Sequence, residues 1–322
     1  MTLRRTLLSP RLPTAAGLLL GYAADALLGD PRRGHPVAGF GQVAAALERR
    51  TYADRRAAGV GHVLLLVGGT AALGVGLSRA TPAPWARTLV TAAATWAVLG
   101  GRSLRREAER VAGSLARGDL PAARREITAL VGRDPSVLDA DGLARACVES
   151  VAENTSDAVV SPLLWGAVAG VPGLLAYRAV NTLDAMVGHR SPRYLRFGWC
   201  AARLDDVANW GPARLAGLAT ALAAPVVGGS PQAAWAAVAR DAHRHPSPNA
   251  GVVEAATAGA LGVRLGGTNV YAGEAEDRGT LGDGRDVEVA DVARAVRLAR
   301  VTSALGLAAA VLLALGRPGW RR

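Results

Sequence analysis

From Val60 to Ser78 the chain carries no charged side chain unless His62 is protonated. An uncharged stretch of that length is close to the ~20 apolar residues that a helix needs to cross a bilayer. It constrains the fold more than any other feature, because further apolar segments stand beside it at 14–29, 85–101, 158–176, 215–229 and 301–316. They are not equivalent. The segments 60–78 and 301–316 are the most regular, whereas 14–29 contains Asp25 and 85–101 contains Arg87. The segment 158–176 is uncharged but broken by Pro162, Gly166, Gly170 and Pro172, and 215–229 is weakened by Pro225 and two terminal glycines.

Charge is concentrated between these segments. The net charge is +11, and no lysine is present, so arginine supplies all 37 basic residues. A Schiff-base or P-loop lysine is therefore excluded. Any bound phosphate must be held by arginine, backbone N–H groups or a metal. Aromatic residues make up only 4% of the chain, and the arginines flank apolar segments rather than forming one stripe. That pattern argues against nucleic acid and fits the excess of positive charge in cytoplasmic loops of membrane proteins. Cys147 and Cys200 match no metal or redox spacing, which fits a reducing compartment. Arg4, Arg5 and Arg11 before the first apolar run imitate a signal peptide, but no small-residue cleavage pattern follows, so the segment is expected to be retained.

Strand signals are nearly absent, so the expected fold is all-α: a polytopic integral membrane protein forming a single membrane-embedded domain over 1–322, with helical cytoplasmic segments. Residues 102–156 read as a soluble helical insert, with Gly118 and Asp134-Pro135 as helix-end signals. The loops 31–59, 102–156 and 181–210 are all arginine-rich, and simple alternation cannot place all three in the cytoplasm. A hairpin of 60–78 and 85–101, followed by a re-entrant broken helix at 158–176, resolves the conflict, since broken helices at membrane depth are tolerated where they line a cavity.

The chemistry-bearing residues cluster near segment ends. Arg145, Glu149, Glu153 and Asp157 recur every four residues and form one slowly drifting helical stripe that runs into an apolar segment. Three carboxylates on one face in apolar surroundings call for a cation. Mg²⁺ suits them, because it takes oxygen ligands and leaves positions open for substrate phosphates. A solvated face with Arg145 pairing Glu149 is the plainer alternative. Ser150 and Asn154 lie in the same block. Further on, Tyr177 and Arg178 precede Asn181 and Asp184, and Arg203, Asp205, Asp206 and Asn209 follow at helical spacings; each is unremarkable as a cap or ion pair, but together they suit a metal–phosphate site. The block Arg240–Gly251 holds His243, His245, Ser247 and Asn249 on a loop stiffened by two prolines, a setting for a phosphate at a helix N-terminus or simply a basic surface loop. Gly29-Asp30-Pro31-Arg32-Arg33-Gly34-His35-Pro36 reads as a juxtamembrane turn, and the glycine-rich stretch 262–284 lacks a dinucleotide fingerprint.

Taken as a set, GDPRRGHPV, VESVAENTSDAVVSPLLWGAVAG, YRAVNTLDAMVGHR, RLDDVANW, HPSPNAG, EAATAGALGVRLGG and Tyr271-Ala-Gly-Glu274 follow one another over most of 21–284. In that order they resemble the blocks of the CobD/CbiB family, the adenosylcobinamide-phosphate synthases of cobalamin (vitamin B12) biosynthesis. The remainder, 38–140 and the last helix, is similar mainly in hydropathy. One departure is Val252-Val253 after Pro-Asn-Ala-Gly, where a bulkier element is expected. The resemblance implies a multi-pass protein of the cell (inner or plasma) membrane with a cytoplasm-facing active site, which joins adenosylcobyric acid to (R)-1-aminopropan-2-ol or its phosphate using ATP and Mg²⁺. On that reading Glu149, Glu153 and Asp157 hold the metal. Glu149, Glu153, Asp184, Asp205 and Asp206 carry catalysis. Arg145, Asn154, Arg178, Asn181, Arg203, Asn209, His245, Ser247 and Asn249 contact substrate or phosphate. Membrane lipid and other cobalamin-assembly enzymes are the expected partners.

Two other classes compete. Asp205-Asp206-x-x-Asn209 and Glu153-Asn154-x-x-Asp157 are near misses to the acidic motifs of intramembrane Mg-dependent prenyltransferases, but the chain has too few long, regular spans for one. A transporter is disfavoured because Asp25 is the only acid inside an apolar run and no repeat is visible; a scaffold role could coexist with catalysis.

Overall fold

The computed structural model describes residues 11–31, 34–132, 134–271 and 274–316. Arg4, Arg5, Arg32, Arg33, Ala272 and Gly273, used above, lie outside them. The helices are α1 (Arg11–Leu28), α2 (Pro36–Thr51), α3 (Arg56–Ala80), α4 (Pro84–Val98), α5 (Gly101–Ala116), α6 (Leu120–Ile127), α7 (Ala140–Thr155), α8 (Ser161–Leu183), α9 (Trp199–Ala223), α10 (Pro231–Asp241), α11 (Ala250–Leu261) and α12 (Val289–Gly316). Two π-helical turns, Ser156–Val160 and Asp184–Gly188, follow α7 and α8. The chain divides into two compact units: the first is formed by 1–100, 161–209 and 307–322, the second by 101–160 and 210–306. The expected soluble insert is thus only part of a larger second unit.

Among the described residues three helical runs are long and apolar enough to cross a membrane: α3, the run Ala140–Gly188, and α12. In α3 only 22% of the apolar window is buried, and Leu64, Leu65 and Leu73 are exposed. The segment 85–101 yields the 15-residue α4, too short to be counted with them. The last helix starts at Val289, before its apolar part, because Asp291 organises its first turn. That carboxylate is fully buried and accepts from Glu288 N at 2.9 Å, Arg285 Nη1 at 2.7 Å and Arg294 Nη1 at 2.7 Å.

In the first unit α1 lies against α4, and the Trp96 indole donates to Gly29 O at 3.0 Å. The helix α8 is the irregular element. Gly170 has φ 65° and ψ −147°, a backbone region open essentially to glycine. Pro172 follows and removes a helical donor. Together they reverse the chain, so that a Cβ on Gly173 would overlap the carbonyl oxygen of Trp165. The arms Ser161–Ala169 and Val171–Leu183 are therefore folded onto each other.

In the second unit α5, α6, α7, α11 and α12 contribute to one apolar core containing Leu104, Ile127, Leu143, Val148 and Leu261. The all-α expectation holds for most of the described residues, with one small addition. An antiparallel hairpin, β1 (Leu265–Tyr271) and β2 (Glu274–Leu281), pairs Leu265 with Leu281 and Tyr271 with Glu274, with an irregularity between Gly266 and Thr268. Sequence alternation misses it because glycines rather than β-branched residues form its base: Gly266, Gly267 and Gly279 all have positive φ.

Candidate functional site

Each unit carries its own group of the expected residues. In the second unit Arg145, Glu149, Glu153 and Asn154 lie on α7 and Asp157 in the π-turn that ends it, as the spacing requires. Their surroundings differ. Glu149 is 3% exposed and accepts from Gly266 N at 2.8 Å, with Arg145 Nε 3.9 Å away. It ties the hairpin base to α7. Ser150 Oγ donates to Leu130 O at 2.7 Å, and Asn154 Nδ2 donates back to Ser150 O at 3.0 Å. Glu153 and Asp157 are half-buried. The Glu153 carboxylate makes no hydrogen bond or ion pair among the described residues, while its backbone carbonyl accepts from Ser156 N. Those residues contain no group of three or more His, Cys, Asp or Glu side chains placed to hold a metal. The stripe Glu149–Glu153–Asp157 is accordingly not a preformed cage. Glu153 and Asp157 are the half-buried carboxylates of the stripe that could serve an ion such as Mg²⁺, which commonly takes one or two carboxylates and completes its shell with water and phosphate oxygens.

The Pro-Ser-Pro-Asn loop of the same unit is a built helix start. Ser247 Oγ accepts from Asn249 N at 3.3 Å and Ala250 N at 3.2 Å, capping α11. His245 is turned inward: its side chain is 1% exposed, Nδ1 accepts from Ser247 N at 3.0 Å, and Nε2 faces Glu254 Oε1 at 3.6 Å. Burial, reinforced by the Arg278 charge, pushes the imidazole down to about 4 against a smaller opposing effect of the Ser247 backbone. It is neutral at physiological pH, and both ring nitrogens are turned toward groups of the protein. Asn249 Oδ1 accepts from Arg214 Nη1 at 3.2 Å, and Arg214 stacks 4.4 Å from the Trp210 ring centroid. Sequence reasoning missed Glu254, Arg278 and Arg214. Glu254 had a visible signal, as the lone acid in the otherwise apolar or small run AGVVEAATAGAL.

In the first unit the residues of α8 and α9 form one hydrogen-bonded chain. Arg178 Nη1 donates to Asn181 Oδ1 at 3.2 Å, and Asn181 Nδ2 reaches Asp205 Oδ1 at 3.5 Å. Asn209 Nδ2 donates to Asp205 Oδ2 at 2.9 Å. The Asn209 Oδ1 atom accepts from Ser161 Oγ and from Tyr177 Oη, each at 2.8 Å. Asn209 is 1% exposed, so its amide is committed inside the protein rather than presented to a phosphate. Arg203 and Asp206 form an ion pair at 3.1 Å, with the Arg203 side chain 63% exposed. Asp184 opens the second π-turn, its carboxylate over Gly188 where a Cβ would stand. The structure thus joins Arg178, Asn181, Asp205 and Asn209.

Comparison with known proteins decides the family. The family model described as CobD/Cbib protein matches residues 18–299. This chain belongs to the CobD/CbiB family. A cobalamin biosynthesis protein CobD of Mycobacterium tuberculosis (strain H37Rv) is 57% identical over 303 residues, covering 94% of this chain and 96% of that protein. The CobD of Geobacter metallireducens is 49% identical over 278 residues, 84% and 87% of the two chains. That of Rhodobacter capsulatus is 44% identical over 309 residues, 92% and 97% of the two. No solved structure matches. The CobD/CbiB match includes both acidic groups, the Pro-Ser-Pro-Asn loop and the hairpin, and it establishes a role in cobalamin biosynthesis.

Proposed function

We propose that the protein is an amide-forming ligase that joins adenosylcobyric acid to (R)-1-aminopropan-2-ol or its phosphate with ATP and Mg²⁺. Family membership across 18–299 is the observation that carries this reading. In the simplest route a carboxylate oxygen of the corrinoid attacks the γ-phosphorus of ATP and ADP leaves. The amine nitrogen then attacks the acyl carbon, phosphate leaves, and one proton is given up.

The two residue groups suit different parts of that sequence. In the second unit, Glu153 and Asp157 would hold Mg²⁺, which when bound neutralises phosphate charge; positioning and charge neutralisation are most of phosphoryl-transfer catalysis. Arg145 on the same helix adds positive charge. In the first unit, Asp205 accepts two amide N–H groups, which fix its orientation. An acceptor-only carboxylate is suited to take the proton from the ammonium of the amine. Asp206, paired with Arg203 at the surface, is less suited.

The protein is further read as embedded in the cell membrane with its chemistry facing the cytoplasm. The three apolar helical runs and the exposed leucines of α3 support embedding. The segment 158–176 is read as re-entrant, because its arm Ser161–Ala169 extends only ~14 Å at helical rise, against a hydrocarbon core of ~30 Å. The test is to give purified, detergent-solubilised protein adenosylcobyric acid, aminopropanol phosphate, ATP and Mg²⁺, and to weigh the corrinoid by mass spectrometry. Gain of the amine arm, lost when ATP or Mg²⁺ is omitted, is expected. No gain with either aminopropanol form, from folded protein, contradicts the reading.

A further inference from the structure

A straight helix would carry Ser161 and Tyr177 ~24 Å apart. In the structure their hydroxyls meet on a single atom, Asn209 Oδ1, each at 2.8 Å. The reversal at Gly170 brings them together: Ser161 opens the first arm of α8, and Tyr177 lies on the second. The first arm is also pinned to α9 at the neighbouring residue, because Trp165 Nε1 donates to Ala208 O at 3.0 Å. That carbonyl is open to an outside donor because Pro212, four residues on in α9, has no N–H to give it.

Ser161 is fully buried, Tyr177 is 3% exposed and Asn209 is 1% exposed. An amide in such a place must have its oxygen and nitrogen correctly matched. Two hydroxyl donors on Oδ1 leave Nδ2 directed at Asp205 Oδ2, 2.9 Å away. The reversed amide would set its oxygen against the carboxylate, an arrangement tolerable only if Asp205 were protonated. The orientation of Asn209 and the charge of Asp205 are therefore linked.

We infer that Ser161, Tyr177 and Asn209 are positioning residues: the broken helix fixes the amide of Asn209, and Asn209 holds Asp205 as an oriented carboxylate for the amine half of the reaction. The inference rests on the ligase reading and on the part given there to Asp205. It assigns Ser161 and Tyr177 a role through Asn209 and not through contact with substrate.

The experiment uses the full-length protein in detergent and measures kcat, the KM values for ATP and corrinoid, and the thermal midpoint. Tyr177→Phe and Ser161→Ala should each lower kcat about tenfold, as expected for one charge-coupled hydrogen bond, with both KM values unchanged. Ser161→Thr, which keeps the hydroxyl, should recover most of the loss. Asn209→Asp should be worse than either, because it sets two carboxylates together. The exchange Asp205→Asn with Asn209→Asp restores a hydrogen bond at the same place and should restore the melting temperature but not kcat. Wild-type kcat in Tyr177→Phe and Ser161→Ala, or recovery of kcat as well as stability in the exchange, overturns the inference while leaving the ligase reading intact. An inactive wild type overturns the ligase reading, and this inference with it.

Discussion

The motif Asn-Thr-x-Asp occurs twice, at Asn154–Asp157 in the second unit and Asn181–Asp184 in the first, and each time a five-residue π-turn lies at the aspartate. Such turns add a residue to the helix and are frequent at functional sites. Beyond this the two regions differ. Asn154 donates back to Ser150 on its own helix, and the Glu153 carboxylate beside it stays uncommitted among the described residues. Asn181 reaches a second helix and helps to hold Asp205. The same Asn-Thr-x-Asp motif thus supports two arrangements: one leaves a carboxylate open to an outside cation, and the other engages a carboxylate through protein donors. The first suits metal–phosphate binding and the second suits proton acceptance.

The largest expected effect comes from removing the open carboxylate. Glu153→Gln should lower turnover on the order of 10²–10³-fold, comparable to deleting a principal electrostatic stabiliser, with an unchanged melting temperature. Turnover near wild type would remove Glu153 from the metal site and dissolve the contrast between the two motifs.

The next effect concerns how the second unit keeps its buried histidine uncharged. His245 titrates at about 4 folded, against 6.5 as its ordinary value. Between those values the unfolded chain takes up a proton that the folded protein refuses. Its contribution to stability is complete above pH 6.5 and declines as pH falls toward 4. The full difference is ~3 kcal/mol. Melting curves from neutral pH downward should therefore fall less steeply in His245→Asn than in wild type; parallel curves would refute the neutral, buried imidazole.

A smaller effect tests the reversal in the first unit. Gly170→Ala places a Cβ on a backbone with φ 65° and should cost roughly 1–3 kcal/mol. It should also lower kcat, because Ser161 and Tyr177 no longer converge. Smallest is Trp165→Phe, which leaves the Ala208 carbonyl without its indole donor and should cost ~1 kcal/mol with little change in kcat. A larger loss of kcat there would mean that the first arm itself touches substrate.

Much of this was legible in the sequence. Hydropathy marked α3 and α12, and Pro162, Gly166, Gly170 and Pro172 marked the break in α8. What the sequence did not show was that the break reverses direction, which depends on the φ sign of one glycine. Hence Ser161 and Tyr177, far apart in a straight helix, were not seen as neighbours. The four-residue stripe on α7 was legible, but not that Glu149 would turn to Gly266, because the hairpin supplying that N–H has glycines where strand patterning looks for branched residues. The acidic start of α12 was hidden for a similar reason: charge alone argues for a loop, and only the buried Asp291 with its arginine partners makes it helix.

The division of labour between the two motifs can be tested directly by following β,γ-bridge oxygen scrambling in isotopically labelled ATP, with the corrinoid acid present and the amine absent. This exchange reports carboxylate activation without amide formation. The account predicts that Asp205→Asn retains corrinoid-dependent scrambling while making no amide when amine is added, and that Glu153→Gln loses both. Equal loss of scrambling in the two variants, or amide formation by Asp205→Asn at the wild-type rate, would contradict it.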